Sequence, residues 1–168
     1  IVETVGNMIA SQAHAKSLSV YTDIDTNLPE KLVCDRHRIS QILLNFASNS
    51  IKFTNHGFVL LSVKLFNDMD DSCEVYFECK DSGIGIREQD KEKIFQPFVQ
   101  VSERQVQDQK GWGLGLQICY RLANLMHGSV GVDSVPSVGS TFYFKVTLSK
   151  VKSSSLNSHH LPTYLDSR

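Results

Sequence analysis

A surplus of charge of either sign is missing from this chain. Its 17 lysines and arginines are matched by 18 aspartates and glutamates, for a net charge of −1. With no basic excess to neutralise a phosphate backbone, nucleic acid is not expected as a partner. Long apolar runs are missing too. The longest, Phe58 to Phe66, is interrupted by Ser62 and Lys64 and falls well short of the roughly 20 residues a membrane helix needs. Direct membrane contact by this chain is therefore not expected. No signal peptide is visible, and the first residue is not Met. The four cysteines (Cys34, Cys73, Cys79, Cys119) have no C-x-x-C spacing. In their apolar or strand-like contexts they read as buried free thiols of a reducing, cytoplasmic compartment, with a zinc site as the alternative. The P-loop pattern G-x-x-x-x-G-K-[ST] is absent, as is G-x-G-x-x-G after a strand. There is no internal repeat.

What is present fits one soluble domain. The chain has 168 residues, 41% hydrophobic and 21% charged, and a chain of this length buries roughly 70% of its unfolded surface. Ile1 to Lys16 reads as a helix already under way, with Val2, Val5, Ile9 and Ala13 on one side and no cap before it. That reading expects a parent protein continuing upstream. Leu18 to Ile24 alternates as a strand, and Asn27-Leu28-Pro29 turns. Asp35 can cap a helix running to about Phe53, with Gly57 beyond its end. Phe58–Phe66 and Cys73–Lys80 read as two strands joined by a turn. Asp81 to Ile86 is a Gly-rich turn, and Glu88 to Phe95 a short charged helix. Val99 to Lys110 reads as a mobile polar loop. Leu114 to His127 is helical with Gly128 as its stop. Ser129–Val135 and Thr141–Leu148 are strands. From Val151 the chain is Ser-rich, as linkers are. Strands arriving as hairpins favour a mixed sheet with helices on one face over a doubly wound parallel fold.

The segment Asp35 to Thr54 carries the first chemical signal. Ile39, Ile42, Leu43, Phe46 and Ala47 share the packing face, and Arg38, Asn45, Asn49 and Lys52 form a neighbouring stripe. Two amides and two cations beside a packing face suit an anion held with a metal ion. An Asn oxygen is a hard ligand for Mg²⁺, and Lys offers a point charge to phosphate. A solvated amphipathic face would look similar, but asparagine is a poor mid-helix residue.

Two glycine segments add to it. In Asp81-Ser-Gly83-Ile84-Gly85-Ile86 the glycines let the backbone approach a flat ligand. The Asp81 carboxylate can only accept hydrogen bonds, which suits an exocyclic amine such as that of adenine. Gly111-Trp112-Gly113-Leu114-Gly115-Leu116 opens a helix whose N-terminal N–H groups favour phosphate. A plain turn and a Gly-rich hinge with no ligand are the corresponding bland readings. Thr141, after Gly139-Ser140, could hydrogen-bond Asp81.

In order and spacing, "DRHRISQILLNFASNSIKFTNHG", "DSGIGI", "IFQPFVQ", "GWGLGLQICYRLANLMHG" and "GSTF" together resemble the histidine kinase catalytic domain. That domain belongs to the gyrase, heat-shock chaperone, histidine kinase and MutL ATP-binding superfamily. The resemblance covers residues 1–149, with 150–168 left as a linker or tail. It implies a Bergerat-type two-layer α/β sandwich, in which a mixed, mostly antiparallel sheet packs against three main helices. It implies ATP and Mg²⁺ as cofactors, with Asn49 as the metal ligand. Asn45 and Lys52 fall on the phosphate side, and Phe53 on the pocket wall. Asp81 is the adenine-reading carboxylate, with Gly83, Ile84, Gly85 and Ile86 in its turn. Phe95 and Phe98 anchor a lid, and Gly111, Trp112, Gly113, Leu114, Gly115 and Leu116 form its hinge beside the phosphates. Thr141 is the partner of Asp81.

Departures lie in the lid: Trp112 stands where the family usually has Thr or Ser, Lys110 where a glycine is common, and Gln107 where hybrid-type relatives often have arginine. None of the six histidines begins an H-E-x-x-T-P-like helix, so no residue is assigned a catalytic role. The expected activity is transfer of the ATP γ-phosphate to a histidine on a separate dimerisation domain of the same protein. A receiver domain or response regulator would follow downstream. Two alternatives stand beside it. An ATPase of the superfamily would need a glutamate where Asn45 stands. A degenerate nucleotide-binding or docking module, without phosphotransfer, would accommodate Trp112.

Overall fold

The computed structural model describes residues 1–96 and 114–151. Helix α1 (Val2–Ala15) buries Val2, Val5, Gly6, Ile9 and Ala13, the side its spacing predicts. Gly6 brings it close to the first strand, since a Cβ there would lie 2.9 Å from the Thr22 methyl. Strand β1 (Ser19–Ile24) follows. A two-residue strand, β2 (Leu32–Val33), comes next; it is too short to show a period and was not expected. Asp35 then opens α2 (Arg36–Phe53), accepting from the Arg38 amide at 3.1 Å. The α2 core face is Ile39, Ile42, Leu43, Phe46, Ala47 and Ile51, with Ser50 set among them.

Strands β3 (Phe58–Asp68) and β4 (Ser72–Asp81) form one hairpin, and β5 (Ser129–Val135) and β6 (Gly139–Lys150) another. The sheet order is β1-β3-β4-β6-β2, with β5 also paired to β6. β5 runs along the first part of β6, and β2 meets its last two residues. Among the described strands only β1 and β3 pair in parallel, because the connection between them carries α2 across the sheet. A mixed, mostly antiparallel sheet under helices on one face is the expected architecture.

Alternate residues of the long strands face the helices: Val59, Leu61 and Val63 on β3, Cys73, Val75, Phe77 and Cys79 on β4, and Phe142, Phe144, Val146 and Leu148 on β6. Phe46 of α2 stacks on Phe142 at 5.5 Å between ring centroids. All four cysteines are free; three are buried and Cys34 is half-buried.

Two local expectations need correction. The segment after Ile86 is not one helix. A single turn, α3 (Glu88–Lys91), is followed by a 3-10 turn (Lys93–Phe95). The last helix, α4 (Gly115–Leu125), is stopped by His127, which takes the left-handed conformation at φ 54°. Gly128 does not take that conformation. It is needed for room, because a Cβ there would strike the Lys145 carbonyl oxygen.

Candidate functional site

The site is assembled where the C-terminal end of β4 meets α2. Asp81 is the last residue of β4 and is only 5% exposed. Its Oδ1 accepts from the Gly83 N–H at 2.9 Å and the Ser140 N–H at 3.2 Å. Its Oδ2 accepts from the Ser50 hydroxyl at 2.9 Å. Burial pushes the Asp81 carboxyl above the usual carboxylate range, and these three donors oppose that rise.

The glycine turn is sewn to its surroundings. A Cβ on Gly83 would lie 2.6 Å from the Phe53 carbonyl oxygen and 2.8 Å from Thr54 Oγ1, so only glycine lets the chain pass the end of α2. The Ile84 N–H donates to that Phe53 oxygen at 3.3 Å, and the Ile84 carbonyl accepts from the Ser137 N–H at 2.7 Å. Gly85 is left-handed at φ 71° and has no room for a Cβ beside the Val135 carbonyl. The Ile86 N–H donates to Ser134 Oγ at 2.8 Å. Ser134 gives its single hydroxyl proton to the Gly139 carbonyl, so the 2.9 Å contact between the two hydroxyls is a bond from Ser140 to Ser134.

On α2, the Asn45 amide donates to the Gly115 carbonyl at 3.2 Å and so reaches the first turn of α4. Asn49, one turn further along the same stripe, is half-buried. The Lys52 ammonium lies 5.2 Å from the Phe53 ring centroid. Arg38, at the far end of the stripe, is engaged by its own capping residue, Asp35, at 3.1 Å. Phe95, Ile86 and Leu116 pack against the core, and Leu114 precedes α4. The first N–H groups of α4 lack intrahelical partners, as at any helix start. Among the described residues, no three His, Cys, Asp or Glu side chains converge on a metal position.

One expected contact is corrected. Thr141 does not hold Asp81. In the β4–β6 ladder Ser140 is opposite Asp81, and Thr141 is opposite Lys80. Alternation therefore turns Thr141 to the other face of the sheet. Phe98, Gly111, Trp112 and Gly113 lie outside the described residues.

Three hydroxyl residues not singled out in the sequence belong to this neighbourhood: Ser50, Ser140 and Thr54. The Thr54 hydroxyl is buried beside Gly83 and has no hydrogen-bond partner among the described residues. Ser50 is on the core-facing side of α2, and Thr54, also buried, is the extended residue that follows the helix's last turn. Hydroxyls in an otherwise apolar stripe were the available signal.

The fold and this site define an α/β ATP-binding domain of the Bergerat type, and the comparisons with known proteins agree. The family described as histidine kinase-, DNA gyrase B-, and HSP90-like ATPase matches residues 34–150. The chain belongs to that family, as a catalytic, ATP-binding domain of the sensor histidine kinase kind. It is 42% identical over 139 residues to hybrid signal transduction histidine kinase B of Dictyostelium discoideum, covering 83% of this chain and 7% of that protein. It is 38% identical over 145 residues to sensor histidine kinase GacS of Pseudomonas protegens, covering 86% of this chain and 16% of that one. The chain thus spans a small part of the curated relatives it matches. Among solved structures, full-length ShkA in complex with AMPPNP superposes with a TM-score of 0.77 at 33% identity, over 89% of this chain and 30% of that one. The nucleotide-free catalytic domain of histidine kinase ThkA superposes with a TM-score of 0.66 at 26% identity, over 89% and 91% of the two chains.

Proposed function

We propose that this domain binds Mg²⁺-ATP between α2, the Asp81 turn and the start of α4, and presents the γ-phosphate to a histidine on a separate dimerisation domain of the same protein. The observation that carries the reading is the Asp81 carboxylate: buried, fixed by three donors and able only to accept, it suits the adenine amine. Asn49 is the Mg²⁺ ligand in this reading. A cluster of acidic ligands is not required, because Mg²⁺ keeps several waters and takes phosphate oxygens. Asn45 and Lys52 serve the phosphate side, and the α4 N-terminus adds its N–H groups. The protein's share of such chemistry is positioning and charge neutralisation.

The ATP-binding unit in this reading is residues 1–149, with 150–168 as a linker, although β6 and its pairing with β2 run one residue further, to Lys150. A receiver domain or response regulator is the onward acceptor. The setting is cytoplasmic, which the four free thiols support. No described helix is long and apolar enough to cross a membrane.

The test is transfer. The chain is incubated with labelled ATP and Mg²⁺, with and without the histidine-bearing dimerisation domain of its parent. Acid-labile label should appear on that domain and depend on both Mg²⁺ and this chain. Nucleotide binding without any transfer would favour the docking-module alternative.

A further inference from the structure

Ser50 is 1% exposed and lies in the last turn of α2, on its core-facing side. A buried hydroxyl in such a place is costly unless it is bonded. Serines within a helix often bond back to the preceding turn. This one instead crosses to β4, to Asp81 Oδ2 at 2.9 Å, and it also lies 3.4 Å from the Cys79 sulfur.

The direction of this chain follows from counting protons. Ser50 has one, and a carboxylate is a far better acceptor than a thiol sulfur. Cys79 keeps its own proton, because burial pushes the thiol up to about 12. The thiol therefore donates to Ser50, and Ser50 donates to Asp81. Counting lone pairs then shows which part of Asp81 is open. A carboxylate has about four acceptor sites. Oδ1 has spent both of its own on the Gly83 and Ser140 N–H groups, and Oδ2 has spent one on Ser50. The position left for an incoming amine is the second lone pair of Oδ2, on the same oxygen that Ser50 holds.

We propose that Ser50, turned by the Cys79 thiol, is a positioning residue for base recognition: it fixes Asp81 Oδ2 so that its one remaining acceptor site meets the base amine. The proposal rests on the reading of Asp81 as the adenine contact. The groups packed against this carboxylate are the Ser50 hydroxyl from α2, the Cys79 thiol beyond it on β4, and the Gly83 and Ser140 backbone. The titratable member of the set is Cys79, which stays neutral through the physiological range.

The experiment is calorimetric titration of Ser50→Ala with Mg²⁺-ATP and Mg²⁺-GTP from acid to neutral pH, beside wild type and Asp81→Asn. Ser50→Ala should bind ATP roughly 3- to 10-fold more weakly at neutral pH, with GTP affected less. Its ATP affinity should also fall away at a higher pH than in wild type, because Asp81 has lost a donor that favours its ionised form. A role in packing alone would not move that pH profile. Ser50→Cys keeps the shape but weakens the donor, and should lie between the two; it carries the same test if the alanine variant folds poorly. Unchanged ATP affinity and an unchanged acid limb in both Ser50 variants, while Asp81→Asn still loses ATP, would overturn the proposal and leave the reading of Asp81 standing. ATP binding untouched by Asp81→Asn would remove that reading, and the proposal with it.

Discussion

The ammonium of Lys16 lies 2.7 Å from the carbonyl oxygen of Ile51, and within 3.3 Å of those of Lys52 and Thr54. A cation just past the end of α1 thereby closes the C-terminus of α2, where unpaired carbonyls and the helix dipole both favour positive charge. The closure bears on the site, because the next carbonyl, that of Phe53, receives the Ile84 N–H of the glycine turn. Lys16→Met keeps the apolar stem and removes the charge. It should cost about 1–2 kcal/mol of folding stability, and it should weaken ATP binding as the turn loosens. Urea unfolding and nucleotide titration measure the two effects. An unfolding midpoint equal to wild type would show that water serves those carbonyls equally well.

The glycines of the two segments are not equivalent. Gly85 is left-handed and closed in by the Val135 backbone. Gly85→Ala should therefore destabilise the fold by at least about 1–2 kcal/mol, the cost of placing a Cβ in that conformation. At Gly115 an added Cβ would meet, among the described residues, only Asn45, at an ordinary 3.8 Å. Gly115→Ala should stabilise α4 by up to about 1 kcal/mol and leave ATP affinity within about twofold. Thermal melts and titrations of both variants check the contrast. A large loss of affinity in Gly115→Ala would mean that Gly115 is needed for movement rather than for space.

Asn49→Ala should abolish the Mg²⁺ dependence of ATP binding and leave the fold nearly unchanged, since this half-buried amide stands on the polar stripe and outside the apolar core. Titration with and without Mg²⁺ measures it. A Mg²⁺ effect of wild-type size in the variant would exclude Asn49 as the ligand.

How far the sequence could be read depended on the range of the interaction. Asp35 as a cap, the core faces of α1 and α2, and both hairpins follow from spacings of a few residues, and the structure has them where those spacings put them. β2 escaped because two residues carry no period; it exists only because β6 runs on to Lys150 beside it. The stop of α4 was misplaced by one residue, because glycine is the usual left-handed residue and here His127 takes that role while Gly128 supplies room. At the site, Asp81 and its glycines could be picked out by type. Their partners depended on register: a shift of one residue along β6 separates Ser140, which faces Asp81, from Thr141, which faces away. Ser50 could not be assigned from helical spacing alone, because its partner lies 31 residues on.

The pH behaviour of Asp81 allows a prediction in which stability and binding move in opposite directions. Burial raises its carboxyl above the value it would have in the unfolded chain. A raised carboxyl favours folding fully when both states are protonated, and that contribution is lost as pH rises through the folded value. The nucleotide-free domain should therefore gain stability from this residue on acidification, in the window between its raised folded value and the ordinary carboxylate value. ATP needs the ionised form, because a protonated oxygen facing the adenine amine sets donor against donor. ATP affinity should fall across the same window. Asp81→Asn should flatten both trends, weaken ATP binding by roughly 10- to 100-fold, and narrow the preference for ATP over GTP, because an amide can turn its donor toward the guanine carbonyl. Melting curves and titrations of wild type and variant over the same pH series measure all of this. If the acid limb of ATP affinity and the ATP-to-GTP ratio both survive in Asp81→Asn, the carboxylate does not read the base, and its burial serves only to close the turn between β4 and α3.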